Sequence, residues 1–117
     1  MSRKADKFQK NIGEDMKIRQ DGETLNVSEI LELGTVNSAL FNSELAAAFP
    51  SEINRIEIDL SDMEFVDCGG VGALVALHNR ARRRNVNIAI RLRNPAPTVR
   101  RIFNLTRMDR LFPIESN

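Results

Sequence analysis

Two stretches alternate apolar and polar residues without a break, and they constrain the fold of this chain more than any other feature. In Arg55-Ile-Glu-Ile-Asp-Leu60, Ile56, Ile58 and Leu60 face one way and Arg55, Glu57 and Asp59 the other. Further on, Val86, Ile88, Ile90 and Leu92 alternate with Asn87, Ala89, Arg91 and Arg93. A period of two means a strand with one buried face and one wet face. A helical pattern separates the two strands, so they are expected to run parallel through a right-handed crossover. Parallel sheets covered on both faces read as unbroken apolar runs, which these are not. The helices are therefore expected on one side of the sheet.

The remaining chain fits around those strands. Residues 1–13 read as a flexible polar tail, and 14–117 as a single domain. Met16-Lys-Ile-Arg-Gln20 and Thr24-Leu-Asn-Val27 flank Asp21-Gly22, a dipeptide that favours a tight hairpin turn. The chain stays extended through Ile30-Leu-Glu-Leu33 and breaks at Gly34. A first helix is expected from Asn37 to Phe49, with Leu40, Phe41, Leu45, Ala48 and Phe49 inward. Asn37 or Ser38 can cap it and Pro50 ends it. Phe65-Val66 leads into Asp67-Cys-Gly-Gly-Val-Gly72, which opens a second helix reaching about Arg84. Its stripe is Val71, Leu74, Val75 and His78, widened by Ala73, Leu77 and Ala81. Pro97 suits the first turn of a third helix that turns Val99, Ile102, Phe103 and Thr106 inward. Asp109-Arg-Leu-Phe-Pro-Ile114 can add only a short edge segment, because Pro113 has no N–H for a central ladder.

Composition narrows the function classes. A chain of 117 residues with one cysteine, Cys68, forms no internal disulfide and suits a reducing compartment. The N-terminus is charged and lacks the apolar centre of a signal peptide, and no apolar run approaches the ~18 residues of a membrane span. The expected localisation is cytoplasmic, without membrane insertion. The near-zero net charge hides an asymmetry: residues 1–66 carry 7 Lys and Arg against 13 Asp and Glu, whereas residues 67–117 carry 10 arginines against 3 acids. A basic half can mark a nucleic-acid surface. The absence of Trp and Tyr removes the best stacking platforms, so nucleic acid is not the expected partner.

Two stretches carry a family resemblance. The first runs Ile58-Asp-Leu-Ser-Asp-Met-Glu-Phe-Val-Asp-Cys-Gly-Gly-Val-Gly-Ala-Leu74. It resembles the strand, turn and helix start of STAS domains, typified by bacterial anti-sigma factor antagonists. The second, Asn94-Pro-Ala-Pro-Thr-Val-Arg-Arg-Ile-Phe-Asn-Leu-Thr-Arg-Met-Asp-Arg-Leu-Phe-Pro-Ile114, is similar to the family's closing helix and last strand. With Leu31-Glu-Leu-Gly34 the resemblance covers about residues 16–115. It implies an α/β fold: a STAS-like mixed sheet of four to five strands with helices mainly on one face. The implied function is regulation of transcription by binding an anti-sigma factor, a serine kinase or a related regulator. Phosphorylation at the turn would break that binding by adding nearly two negative charges to an interface. The expected interface is the segment Gly34–Ser38, Gly34 and Thr35 in particular, with Asp67, Cys68, Gly69, Gly70, Val71 and Gly72 and the outer face of the second helix. The alternative is a structural STAS subunit on the ATPase of a lipid-transport ABC complex.

The chain departs from that family at the turn. Where the family has its phospho-acceptor hydroxyl stands Gly69, and the preceding, often serine, position is Cys68. The early Gly-x-Leu-Asp becomes Leu31-Glu-Leu-Gly34, and the glycine after the closing helix becomes Arg107. No phospho-switch is expected at Gly69, and a bulky charge there is expected to weaken partner binding at little cost in stability. Asp67 can act as a functional acid or cap the second helix. Cys68 has no second thiol, and His78, the sole histidine, lies about three helical turns along. One His and one Cys so placed make no nucleophile–base pair and no metal-ligand set. The glycine turn lacks the lysine and spacing of a phosphate-binding loop. A protein that binds and does not catalyse, with no cofactor, is the expectation.

Overall fold

The computed structural model describes residues 16–47, 53–84 and 87–115; the expected tail, Ala48, Phe49, Pro50 and Val86 lie outside them. Strands β1 (Lys17–Asp21) and β2 (Thr24–Ser28) form the expected hairpin. Gly22 takes the first position of its two-residue turn at φ 65, a left-handed conformation that glycine adopts without a Cβ clash. A short pair follows in β3 (Glu32–Leu33) and, beyond β4 (Arg55–Asp59), β5 (Phe65–Val66). β6 (Ala89–Arg93) and β7 (Ile114–Glu115) complete the strands. The main sheet has five strands in the order β1-β2-β4-β6-β7, with β1 antiparallel and the rest parallel. β3 and β5 form a separate two-stranded sheet, which the sequence did not separate from the main one.

Three helices, α1 (Ser38–Ala47), α2 (Cys68–Arg84) and α3 (Pro97–Leu105), accompany the sheet. Alternation sorts the strands as expected. Ile18, Leu25, Val27, Ile56, Ile58, Ile90 and Leu92 are buried, while their neighbours in sequence face the wet side. On the helices the inward set includes Phe41, Leu45, Leu74, Leu77, Val99 and Phe103, joined by Phe112 just before β7. Burying each such side chain contributes roughly 1.5–3 kcal/mol. Among the described residues no polar or charged side chain is fully buried.

The helical stripes differ in detail from the sequence pattern. Leu40 is 38% exposed, and Thr106 is exposed, its hydroxyl donating back to the Ile102 carbonyl at 2.8 Å. In α2 the deepest residues are Gly70, Ala73, Leu74, Leu77 and Ala81. Val71, Val75 and His78 lie half-buried beside them, and the His78 ring meets Phe112 edge-on at 5.4 Å. The inward face is thus rotated toward the small residues, because Gly70 and Ala73 let the helix axis lie close to the sheet. Pro97 begins α3, with Ala96 as its N-cap.

Candidate partner-binding surface

The small sheet assembles this site. β3 and β5 run parallel with Leu33 beside Val66, so the residues that follow, Gly34 and Asp67, leave the sheet side by side. Asp67 then caps α2: its Oδ1 accepts the Gly70 N–H at 3.1 Å, and its carbonyl accepts the Val71 N–H at 3.0 Å. The same carboxylate reaches the loop between β3 and α1. The Thr35 N–H donates to Oδ1 at 3.0 Å and to Oδ2 at 3.3 Å, and the Thr35 hydroxyl donates to Oδ2 at 3.5 Å. From its other side the loop is closed by Asn37, whose Oδ1 accepts the Gly34 N–H at 2.9 Å. One carboxylate therefore ties a helix start to a loop 32 residues earlier in the chain. Burial pushes the Asp67 carboxyl up, but hydrogen bonds from Thr35, Gly70 and Gly69 outweigh it and hold the pKa below the usual 3.8.

Two glycines are required by this closeness. A Cβ on Gly70 would overlap the Leu33 carbonyl oxygen. A Cβ on Gly69 would stand 2.5 Å from both the Thr35 Cα and its Oγ1. The expectation that a bulky charge at Gly69 spares stability is thus corrected: the Thr35 loop fills the space where a side chain would go. For the same reason a serine or threonine at position 69 could not be accommodated without moving that loop.

The eight predicted interface residues divide by exposure. Gly34 and Gly70 are buried and shape the patch from beneath; Asp67, Gly69 and Val71 are half-buried; Thr35, Cys68 and Gly72 are exposed. Two residues within the expected Gly34–Ser38 segment and outer face of α2, and Leu40, expected inward, extend the surface. Val36 is 100% exposed at the loop tip, and Leu40 of α1 and Ala76 of α2 are exposed as well. Toward its C-terminal end α2 exposes Arg80 and Arg83, which have no ion pair among the described residues. His78, Asp67 and Cys68 do not converge: His78 packs on Phe112, while Asp67 and Cys68 sit at the opposite end of α2. Among the described residues no group of His, Cys, Asp and Glu side chains is placed to hold a metal ion.

The STAS domain model matches residues 5–117, and the chain belongs to that family. Among solved structures it is similar to a putative anti-sigma factor antagonist from Thermotoga maritima, with a TM-score of 0.76 and 22% identity over 87% of this chain and 86% of that one. The anti-sigma factor antagonist SpoIIAA in its unphosphorylated form superposes with a TM-score of 0.71 at 20% identity, over 85% of this chain and 86% of that one. A murine anion transporter, Slc26a9, matches 74% of this chain with 14% of its own length, at a TM-score of 0.65 and 22% identity. No curated protein sequence matches the chain.

Family membership also gives meaning to Arg107. It follows α3 at φ 61, in the left-handed region, at the position where the resemblance places a glycine. A left-handed backbone is one that glycine adopts freely and that costs an arginine energy.

Proposed function

We propose that this chain is a protein-binding regulatory domain that engages an anti-sigma factor, a serine kinase or a related regulator. Its contact surface is the Thr35–Val36 loop, the turn from Asp67 to Gly72 and the outward side of α2. The observation that carries this reading is Val36: a wholly exposed aliphatic side chain on a loop fixed by the Asp67 carboxylate. An apolar residue held out on a pinned loop is suited to filling a partner's pocket at little cost in ordering. Gly69 offers no hydroxyl and no room for one, so binding is constitutive with respect to modification there. Incubation with ATP and a cognate kinase is expected to leave position 69 unmodified by intact-mass and peptide mass spectrometry.

A similar fold also occurs within an anion transporter, and the alternative reading makes this chain a structural STAS subunit on the ATPase of a lipid-transport ABC complex. Affinity capture from the native cell, run in parallel with wild type and Val36→Asp, separates the two. A kinase-like regulator captured by wild type and lost by Val36→Asp supports the first reading; a transport ATPase supports the second. Equal capture of the same partner by both proteins removes the proposed surface.

A further inference from the structure

The main sheet has an unfilled position on the edge that carries β7. Along β6 the backbone groups alternate between two neighbours. The Ala89 N–H donates to the Asn54 carbonyl at 3.1 Å and the Arg93 carbonyl accepts the Leu60 N–H at 2.8 Å, both on the β4 side. Leu92 and Asn94 point the other way, donating to the Pro113 and Glu115 carbonyls at 3.0 and 2.7 Å. Alternation turns the N–H and C=O of Ile90, and those of Ile88 before it, to the β7 side as well. β7 does not reach them, because its register with β6 covers only Leu92 and Arg93. Continued one step, the ladder would bring the N–H of residue 113 to the Ile90 carbonyl, and residue 113 is proline. Among the described residues the Ile88 and Ile90 backbone groups on this edge have no hydrogen-bond partner.

The open edge borders a cleft. His78 and Arg82 of α2, Ile88 and Ile90 at β6, and Leu111 and Pro113 line a space of about 160 Å3. Its walls are mostly apolar, and Leu111 is 41% exposed there. Arg82 is the one full charge in the lining; it is exposed and has no ion pair among the described residues. It follows His78 by about one helical turn, toward the end of α2 that leads into β6, so it lies nearer the level of Ile88 than of Ile90.

We propose that this edge takes a short extended segment of a partner protein as an added strand, with an acidic residue two positions before an aliphatic one. The segment runs in the direction of β4 and β7, which are both parallel to β6. The residue between the two makes a pair of hydrogen bonds: its N–H donates to the Ile88 carbonyl, and its carbonyl accepts the Ile90 N–H. Its neighbours come level with Ile88 and Ile90 and project on the same face as those side chains, into the cleft. The aliphatic one meets His78 and Leu111, and the acidic one reaches Arg82. A basic segment would set like charge against Arg82, and a wholly apolar one would leave the guanidinium unmatched. This site is separate from the Thr35 loop and does not depend on the function proposed for it.

The test titrates the peptide acetyl-Thr-Glu-Thr-Leu-Thr-amide into the full chain while the Ile90 amide is followed by NMR. Saturable binding in the millimolar range is expected, with a shift of the Ile90 N–H and slower hydrogen exchange there as the edge becomes paired. N-methylation of the central threonine removes the N–H that serves Ile88 and keeps every side chain; it should weaken binding by at least about tenfold. Arg82→Glu should weaken binding of the parent peptide by a similar factor, with unchanged spectra elsewhere showing that the variant is folded. A peptide with lysine in place of glutamate should bind Arg82→Glu better than wild type. No shift at Ile90 up to about 10 mM peptide, or equal binding of the parent and N-methylated peptides, would overturn the proposal. So would shifts confined to the Thr35 loop, or an Ile90 shift on raising the protein concentration alone, which would assign the edge to a second copy of this chain.

Discussion

The two outer surfaces of this domain are built on opposite electrical plans. On the open sheet face β1, β4 and β6 present mostly charged side chains around the short, uncharged ones of β2, and most charges answer one another: Lys17 with Glu29, Arg93 and Arg55 with Glu57, and Arg91 with Glu115. The patch where α1 and α2 meet the Thr35 loop presents Val36, Ala39, Leu40, Ser43, Cys68, Gly72 and Ala76, all uncharged. Arg80 and Arg83 are exposed further along α2, without ion pairs among the described residues. Water solvates the first face well, whereas the second keeps apolar surface exposed that a partner can cover. The difference explains why the loop patch, and not the larger sheet face, is the candidate for protein contact.

If the patch depends on close backbone approach and the sheet face on dispersed charge, substitutions should separate the two. The largest effect is expected at Gly70, where a methyl group meets the Leu33 carbonyl. Gly70→Ala should cost about 3 kcal/mol or more in denaturant unfolding, because neither backbone can yield alone. Gly72→Ala, with open space around it, should instead gain up to about 1 kcal/mol from helix propensity. Equal effects at the two glycines would show that the helix start is looser than its geometry indicates.

Asp67 gives a pH-resolved version of the same comparison. Its folded pKa lies below the usual 3.8, so its stabilising contribution is complete above that value. The contribution is lost as pH falls through the lower folded value. In Asp67→Asn that part of the acid limb should flatten, and Tm at neutral pH should fall as the charge and the second acceptor oxygen, which the Thr35 N–H and hydroxyl share, are lost. An unchanged acid limb would mean that the carboxylate does not hold the loop in solution.

Smaller effects should mark sites away from the patch. Arg107 pays for a left-handed backbone that glycine adopts freely, so Arg107→Gly should stabilise by about 1 kcal/mol in chemical unfolding. On the sheet face, Glu57→Gln removes a carboxylate shared by two arginines, yet the guanidinium groups remain partly solvated. A loss of at most about 1 kcal/mol is expected, shrinking further at high salt. A much larger loss would break the contrast by making the sheet charges structural.

The sequence revealed the sheet and its one-sidedness because alternation is a direct consequence of strand geometry, and Ile56, Ile58, Ile90 and Leu92 obey it. The α2 face was less legible. Val71 and Val75 look more apolar than Gly70 and Ala73, but the small residues are the ones that allow contact with the sheet. The loop patch was legible in position and not in mechanism. Asp67, Gly69 and Thr35 were candidates from a family motif, yet the pairing of a residue near the N-terminal end with one 32 positions later depends on the two-stranded sheet, which has only two residues per strand. Strands that short leave too little pattern to read.

The central claim is that contact with the proposed regulator runs through the pinned loop and not through the open sheet face. It is tested most directly by measuring the affinity of the captured partner for wild type, Val36→Asp and Arg19→Glu, each checked for an unchanged Tm. Both substitutions place an acid at an exposed position, and the charge change is the larger at Arg19, on the face expected not to bind. The account predicts that Val36→Asp weakens binding by at least about tenfold, roughly 1.4 kcal/mol, while Arg19→Glu leaves it within about twofold. Strong loss with Arg19→Glu and none with Val36→Asp would contradict it.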